Sequence, residues 1–191
     1  MQEEHNKPGR PRDESAAEAI KQAALQLVRK HGYRNVTIAA IAQKAGVARQ
    51  TLYNRWPTKA DLILDAVFEE AGRHVAQPAS TPDIPCAVQL EKFLAAIFSH
   101  LAADGDTLRS LIAAAQEDDD FRAAFRERFV TPREAMVTQI LAEAQQRGEL
   151  PPEADPAILS AMIHGAFWYR MLNGQELENH LARAIAQAVF R

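Results

Sequence analysis

Four polar side chains that can bind nucleic-acid bases or phosphates lie close together in the segment AGVARQTLYNRWPTK, residues 45–59. In a helix, Arg49, Gln50, Tyr53 and Asn54 share one face, because they occupy positions i, i+1, i+4 and i+5. Arg and Gln have forked groups that can bond base edges. The apolar residues of the segment point to other sides: Val47, Leu52 and Trp56. The pattern indicates a nucleic-acid-binding face, although a solvated helix of an unrelated bundle is the alternative for an isolated segment.

The elements around this face are predicted to be short helices joined by a glycine turn. The first helix is expected to open at Ser15, with Glu18 completing a capping box, and to end near Gly32. The second starts at Thr37 and buries apolar residues at helical spacing: Ile38, Ile41, Ala42 and Ala45. Gly46 permits a sharp turn into a third helix over about 48–55.

The rest of the chain also follows the helical period, so the fold class is predicted to be all-α. Thr58 and Asp61 predict a capping box for a fourth helix that ends near residue 77, and PASTPDIP at 78–85 predicts a loop. Further helices are predicted over about 86–103, 107–116, 119–129, 132–147, 156–173 and 176–190.

Charge divides the chain into two unequal parts. Residues 1–60 contain eleven Lys or Arg against five Asp or Glu, which gives +6. Residues 61–191 contain eleven against twenty, which gives −9. The amino-terminal part therefore favours polyanionic partners, which agrees with the polar face.

Composition restricts which other classes of protein the chain can belong to. The single cysteine, Cys86, excludes an internal disulfide, and its place near a helix start leaves a redox role conceivable beside the commoner inert one. No apolar run approaches the roughly 18 residues that cross a bilayer, and the first residues lack the apolar middle of a secretory signal. We expect a cytoplasmic protein without a membrane partner.

The segment GYRNVTIAAIAQKAGVARQTLYNRWPTKADL resembles the DNA-binding pattern of the tetracycline-repressor (TetR) family of bacterial transcriptional regulators. The likeness covers about residues 15–65, and DPAILSAMIHGAFWYRMLNG at 155–174 resembles a carboxy-terminal helix of the family more weakly. It implies a three-helix helix-turn-helix domain over 15–60, after a basic arm over 1–14, and a helical effector-binding and dimerisation domain over 61–191.

The resemblance also implies roles for single residues. Thr37, Tyr53 and Lys59 are expected to contact phosphates. Positions that reach base edges in the family are occupied here by Arg49, Gln50, Thr51 and Asn54. Ala48 stands where a capping Ser is frequent, and Ala39 and Ala40 replace polar residues, so the second helix is expected to make few contacts.

The basic arm KPGRPR carries a GRP core similar to the minor-groove element of AT-hook peptides. Arg10 and Arg12 are therefore expected to bind DNA. A disordered basic tail with nonspecific phosphate attraction is the alternative.

The family resemblance implies a small-molecule effector and a homodimer, and twofold symmetry would place two recognition helices roughly 34–36 Å apart. Candidate residues for the effector pocket are Phe93, Phe98, Phe125, Met136, Met162 and Phe167, although ordinary core explains most of them equally. Candidate residues for the dimer interface are Leu159, Met162, Ile163, Ala166, Leu181 and Ile185.

No catalytic motif, close metal-ligand spacing or cofactor-binding loop is evident, so we expect no enzyme, no metal and no cofactor. His100, His164 and His180 are dispersed along the chain. With the resemblance, the sequence predicts a one-component regulator that binds double-stranded DNA at a palindromic operator, a repressor with activation as the alternative. The alternative is a helical ligand-binding or interaction protein in which the helix-turn-helix is a structural remnant.

Overall fold

The computed structural model of the protein describes residues 10–74 and 81–191, and every regular element in these ranges is a helix. In chain order they are α1 (Arg10–Asn35), α2 (Ile38–Ala45), α3 (Arg49–Tyr53), α4 (Lys59–His74), α5 (Cys86–Ala115), α6 (Asp119–Phe125), a π-helical turn (Arg126–Val130), α7 (Thr131–Gln146), α8 (Pro156–Leu172) and α9 (Asn179–Val189). The all-α prediction is confirmed.

The chain divides into two compact units between Val67 and Phe68, within α4. The amino-terminal unit has a core of aliphatic side chains from α1 to α4. Fully or almost fully buried are Ile20, Ala24, Val28, Ile41, Leu52, Leu62, Ile63 and Leu64. Of the four residues that the second helix was predicted to bury, Ile41 and Ala42 are buried, whereas Ile38 and Ala45 are half-buried.

The predicted start of the first helix is wrong. α1 already begins at Arg10, so Ser15 lies inside the helix and does not cap it. Glu18 instead accepts a hydrogen bond from Gln22 (3.2 Å) and lies 3.6 Å from the ammonium of Lys21. The predicted break at Gly32 is present as a kink, with φ of 74°.

The carboxy-terminal unit has a separate core built by α5, α7, α8 and α9. At its centre lie Leu90, Leu94, Val137, Leu141 and Ala182, none of which is exposed. The core contacts explain why these four helices pack together.

Three helix boundaries in this unit differ from the prediction. The expected break between 103 and 107 is only a kink at Asp104, whose Oδ1 accepts a hydrogen bond from Thr107 Oγ1 (2.6 Å), and the helix continues to Ala115. The expected break near residue 130 is a π-helical turn that joins α6 to α7. α9 starts at Asn179, three residues later than predicted.

By length and composition alone, one described helix, α5, is apolar enough to cross a membrane. α5 has 30 residues, and its most apolar 18-residue window reaches a mean hydropathy of 1.2. A core helix of a soluble protein meets the same criterion, and α5 supplies Leu90, Phe93, Leu94 and Phe98 to the core.

Candidate nucleic-acid interface

The turn between α2 and α3 is fixed by caps at both ends of α2. Thr37 Oγ1 accepts a hydrogen bond from the backbone N–H of Ala40 (3.1 Å), as expected for an N-cap. At the other end Gly46 adopts φ of 70°, a left-handed conformation that costs a residue with a Cβ roughly 1–2 kcal/mol. The N–H of Val47 then bonds the carbonyl of Ala42 (3.0 Å). The chain therefore leaves α2 in one defined direction.

α3 is short, and its attachment to the unit depends on two buried side chains. Leu52 is fully buried and Trp56 is 7% exposed. Trp56 Nε1 donates to Asp65 Oδ2 at 2.9 Å, which links the end of α3 to α4. Ala48 supplies no side-chain cap, so packing and this hydrogen bond hold α3 in place.

Sequence reasoning missed the bond between Trp56 and Asp65. The available signal was chemical: a buried indole N–H needs an acceptor, and Asp65 is a carboxylate nine residues further on.

The capping box at the start of α4 is confirmed. Thr58 Oγ1 accepts from the N–H of Asp61 (3.1 Å), and Asp61 Oδ2 accepts from the N–H of Thr58 (3.1 Å). This pair sets the position at which Lys59 enters the helix.

The structure brings Arg49, Gln50, Tyr53 and Asn54 together on the exposed side of α3, and we name these four residues the recognition face. Tyr53 is 49% exposed despite its large ring. Gln50 Nε2 donates to Asn54 Oδ1 at 3.0 Å, so these two amides hold each other in place. Such a preordered pair loses less side-chain entropy on meeting a base edge. Thr51, the remaining candidate for base contact, is half-buried beside this face.

Two predicted phosphate contacts already have partners within the chain. Thr37 uses its oxygen as the α2 cap, which leaves its O–H free to donate to an acceptor outside the chain. Lys59 Nζ donates to the backbone carbonyl of Tyr33 (3.1 Å) and lies 4.1 Å from the centre of the Tyr33 ring. Lys59 therefore joins α4 to the end of α1, and the residue as a whole is half-buried.

The basic arm cannot be placed on this surface. Residues 1–9 lie outside the described part of the chain, and so do the side chains of Arg10 and Arg12, whose backbone forms the start of α1.

The predicted pocket residues lie in different parts of the carboxy-terminal unit. Phe93, Phe98 and Phe167 belong to the core of the carboxy-terminal unit, with exposures of 6%, 1% and 3%. Met136 is half-buried against that core, whereas Phe125 belongs to a separate row of aromatic rings. Met162 is 64% exposed and lies on the outer side of α8.

An open depression of about 610 Å³ lies elsewhere, beside α7. It is lined by Pro82, Gln139, Ala142, Glu143, Gln146 and Arg147. None of the predicted pocket residues contributes to it.

The dimer candidates also separate into two groups. Ile163 (1% exposed) and Ile185 (8%) lie inside the protomer's own core, so they have no surface to offer a partner. Leu159 and Leu181 pack partly against the same core. Only Met162 and Ala166 are exposed.

Met162 belongs to a larger apolar stripe along α8 that sequence analysis did not separate from the core. Its other large members are Ile158, Tyr169 and Leu172, which are 59%, 66% and 49% exposed. They follow one another at helical spacing, with Ala166 between them, and we name these five residues the α8 stripe.

Cys86 is fully buried at the first position of α5, where its backbone N–H donates to Glu149 Oε2 (2.6 Å). Burial raises the pKa of the thiol, and the charge of Glu149 raises it further. The thiolate is therefore disfavoured, which argues against the redox role. Within residues 10–74 and 81–191, no three His, Cys, Asp or Glu side chains form a group that can hold a metal ion.

Comparison with known proteins gives matches in both units. Residues 20–66 match the family model "Bacterial regulatory proteins, tetR family", and residues 86–189 match "Tetracyclin repressor-like, C-terminal domain". The helix-turn-helix (HTH) transcriptional regulator YdeS of Bacillus subtilis is 32% identical over 191 residues, which cover 97% of this chain and 93% of YdeS.

Two further proteins extend the comparison. Rv1556 of Mycobacterium tuberculosis is also an HTH-type transcriptional regulator. It is 30% identical over a stretch that covers 78% of this chain and 72% of the Rv1556 chain. The crystal structure of the TetR family transcription regulator SCO0332 superimposes with a TM-score of 0.73 and 28% identity, covering 92% of this chain and 97% of that one.

Proposed function

Because the chain belongs to the TetR family of HTH transcriptional regulators, we propose that it acts as a homodimeric repressor in the cytoplasm. On this proposal it binds a palindromic operator and leaves it when a small molecule occupies the carboxy-terminal unit. The observation that carries the proposal is the recognition face, four exposed groups with base- and phosphate-binding chemistry on a helix anchored by buried residues.

Each residue of the recognition face has a definite chemical role in this proposal. The guanidinium of Arg49 can bond O6 and N7 of guanine, and the coupled amides of Gln50 and Asn54 suit an adenine. Tyr53, with Thr37 and Lys59, would bind phosphates and so fix the register of the helix without selecting sequence. Thr51 can contact a thymine methyl group from the side of the face.

The α8 stripe supports a second copy of the chain as the protein partner. Four large apolar side chains, each at least 49% exposed, form a continuous line on one side of α8. Covering such a line removes apolar surface from water, and a twofold axis lets one stripe cover its own copy. Dimerisation also supplies the second recognition helix that a palindromic site needs.

The test is selection of bound fragments from the source genome by the purified full-length chain, followed by footprinting. We expect a protected palindrome whose half-sites are separated by about one helical turn of DNA. A chain that binds all fragments equally would instead support the structural-remnant alternative.

Two variants then separate base contacts from phosphate contacts. Gln50→Ala should change the preferred base at one or two positions per half-site, with a loss of about 1–3 kcal/mol on the original operator. Tyr53→Phe removes only the hydroxyl and should weaken every sequence similarly. Gln26→Ala, an exposed change on α1, serves as the control. Identical footprints and affinities for all three variants would contradict the assigned roles.

A further inference from the structure

A row of stacked phenylalanine rings crosses the carboxy-terminal unit outside its main core. The ring centres of Phe121 and Phe125 are 6.2 Å apart, those of Phe125 and Phe129 are 5.0 Å apart, and those of Phe129 and Phe68 are 5.4 Å apart. At one end of the row lies the guanidinium of Arg133, 3.7 Å from the centre of the Phe129 ring and 5.7 Å from that of Phe68. The positively charged guanidinium thus lies over the faces of the Phe129 and Phe68 rings.

Unlike several other arginines of this unit, Arg133 has no carboxylate partner in the described part of the chain. Its one hydrogen bond in the described part of the chain runs from Nη1 to the carbonyl of Phe129 (3.2 Å), and no carboxylate there lies within ion-pair distance. Other arginines of the unit do pair with carboxylates: Arg109, Arg122, Arg147 and Arg183. Burial lowers the pKa of Arg133 to about 10, so the side chain is still a cation at neutral pH.

Arg133 is half-buried, and its stacking on Phe129 does not cover the edge of the guanidinium. A guanidinium has five N–H donors in one plane, and stacking on Phe129 occupies its face and leaves the edge available. Among the described residues no fully buried side-chain nitrogen or oxygen lacks a hydrogen-bond partner. The Arg133 nitrogens that have no partner in the described part of the chain therefore keep some contact with solvent, where an anion could approach them.

The local backbone is unusual at the same place. Phe129 lies in the π-helical turn Arg126–Val130, and Arg133 follows in the first turn of α7. A π turn is a rare insertion that occurs frequently at functional sites. Phe129 lies in this turn and Arg133 four residues after it, and the ring and the guanidinium meet.

From this arrangement, we propose that Arg133 binds the carboxylate of an apolar organic acid whose body lies against the half-buried ring of Phe68. A carboxylate matches the two parallel N–H groups of the guanidinium edge, and the Phe68 ring supplies apolar surface, whereas Phe129 is buried and holds the guanidinium in place. The acid would be the effector of the carboxy-terminal unit, so this inference rests on the proposed function. A purely structural Arg133, which only stacks on Phe129, is the alternative.

The experiment measures binding of three acids, octanoate, decanoate and 4-phenylbutyrate, to the full-length protein by calorimetry. Each acid is compared with its uncharged primary amide. We expect at least one acid to bind roughly 10- to 100-fold more tightly than its amide, as a charge-assisted bidentate contact would give. Arg133→Gln should remove that preference, and Arg133→Lys should restore only part of it, because a point charge lacks the fork.

Arg126→Gln is the matched control, since it removes the same charge from an exposed position in the π-helical turn. Thermal unfolding of each variant shows whether it is folded. Equal binding of acid and amide by the unaltered protein, an unchanged preference in folded Arg133→Gln, or no acid binding below about 1 mM would each overturn the proposal. Should Arg133→Gln fail to fold, the ratio measured on the unaltered protein and on Arg133→Lys decides.

A second readout separates this inference from the proposed function. Operator binding is measured with and without the acid that binds. Specific operator binding without acid binding would refute the Arg133 site alone. Acid binding that depends on Arg133 but leaves operator affinity unchanged would keep the site and refute its role as the effector site.

Discussion

Replacing Lys59 with Met tests how one side chain can serve both the fold and DNA binding. Lys59 Nζ lies 3.1 Å from the carbonyl oxygen of Tyr33 and 4.1 Å from the centre of the Tyr33 ring. Methionine retains an unbranched apolar side chain but removes the charge and its three donors. The change therefore removes the two contacts at once and leaves the packing of the stem nearly intact.

The expected loss of stability follows from these contacts. A hydrogen bond to a charged group contributes about 1.5–3 kcal/mol, and a cation–π contact at an exposed site adds about 0.5–1 kcal/mol. Since Lys59 is partly exposed, water replaces part of both, and we expect a net loss of about 1–2 kcal/mol. For a chain of this size that loss lowers Tm by roughly 2–8 °C.

DNA binding supplies the second half of the test. If the ammonium also neutralises a phosphate, the slope of log K against log salt concentration should fall by about one for each half-site. Thermal unfolding and operator affinity across a salt series measure the two effects, and Lys92→Met on the exposed side of α5 is the control. A lower Tm with an unchanged salt slope would refute the phosphate contact, and no change in either would refute the importance of the Tyr33 contact as well.

Two further predictions concern the α8 stripe and the α2–α3 turn. Met162→Asp places a charge at the centre of the stripe, so we expect dissociation to monomers in analytical ultracentrifugation and weaker operator binding; an unchanged dimer would refute the assigned interface. Gly46→Ala should lower the free energy of unfolding by about 1–2 kcal/mol, because φ at this position is 70°. No atom lies within 4 Å of the new Cβ, so the backbone conformation alone causes this loss. Gly72→Ala, equally uncrowded but within α4, should instead stabilise by up to about 1 kcal/mol, and thermal unfolding would contradict the backbone argument if both changes had the same sign.

The helix-turn-helix could be predicted from the sequence because its signals are local. Thr37 caps α2, Gly46 takes the left-handed turn, and Thr58 with Asp61 forms the capping box of α4, each as the residue types imply. Such signals act over three or four residues. The helical period alone also predicts that Leu52 is buried on the side opposite Gln50.

The same short range explains the errors. Ser15 and Glu18 have the spacing of a capping box, but a helix that starts earlier satisfies the N–H groups of this turn internally. Glu18 then bonds Gln22 and Lys21, its neighbours on the helix surface. A start signal thus decides a boundary only where the preceding residues do not continue the helix.

α8 could not be interpreted from periodicity because it is apolar on two sides. Ile163 and Phe167 face the core of their own protomer, whereas Met162 and Tyr169 face outward. Met162 fitted the predicted pocket and the predicted interface equally well. Only the packing of α5, α7 and α9 against one side decides which residues remain exposed.

The Arg133 site could not be predicted from the sequence for a different reason. The same reason affects how an effector could act. Phe68 is far from Phe129 and Arg133 in sequence, and nothing in the helical period predicts the π-helical turn. Phe68 belongs to α4, the helix that begins at Lys59 and crosses the boundary between the two units. On our proposal, an acid bound to the guanidinium of Arg133 alters the packing around Phe68 and so acts on α4.

An effector shifts an equilibrium only by the difference between its binding free energies for the two arrangements. The contact of Arg133 with Phe68 can provide such a difference, because it involves α4 directly, whereas the contacts of Phe98 and Phe167 lie within the core of α5 and α8. Couplings of this kind amount to about 1–3 kcal/mol, or roughly 5- to 150-fold in operator affinity. Release of DNA by this route would therefore be graded by acid concentration and limited by how strongly Arg133 and Phe68 are coupled, even at saturation.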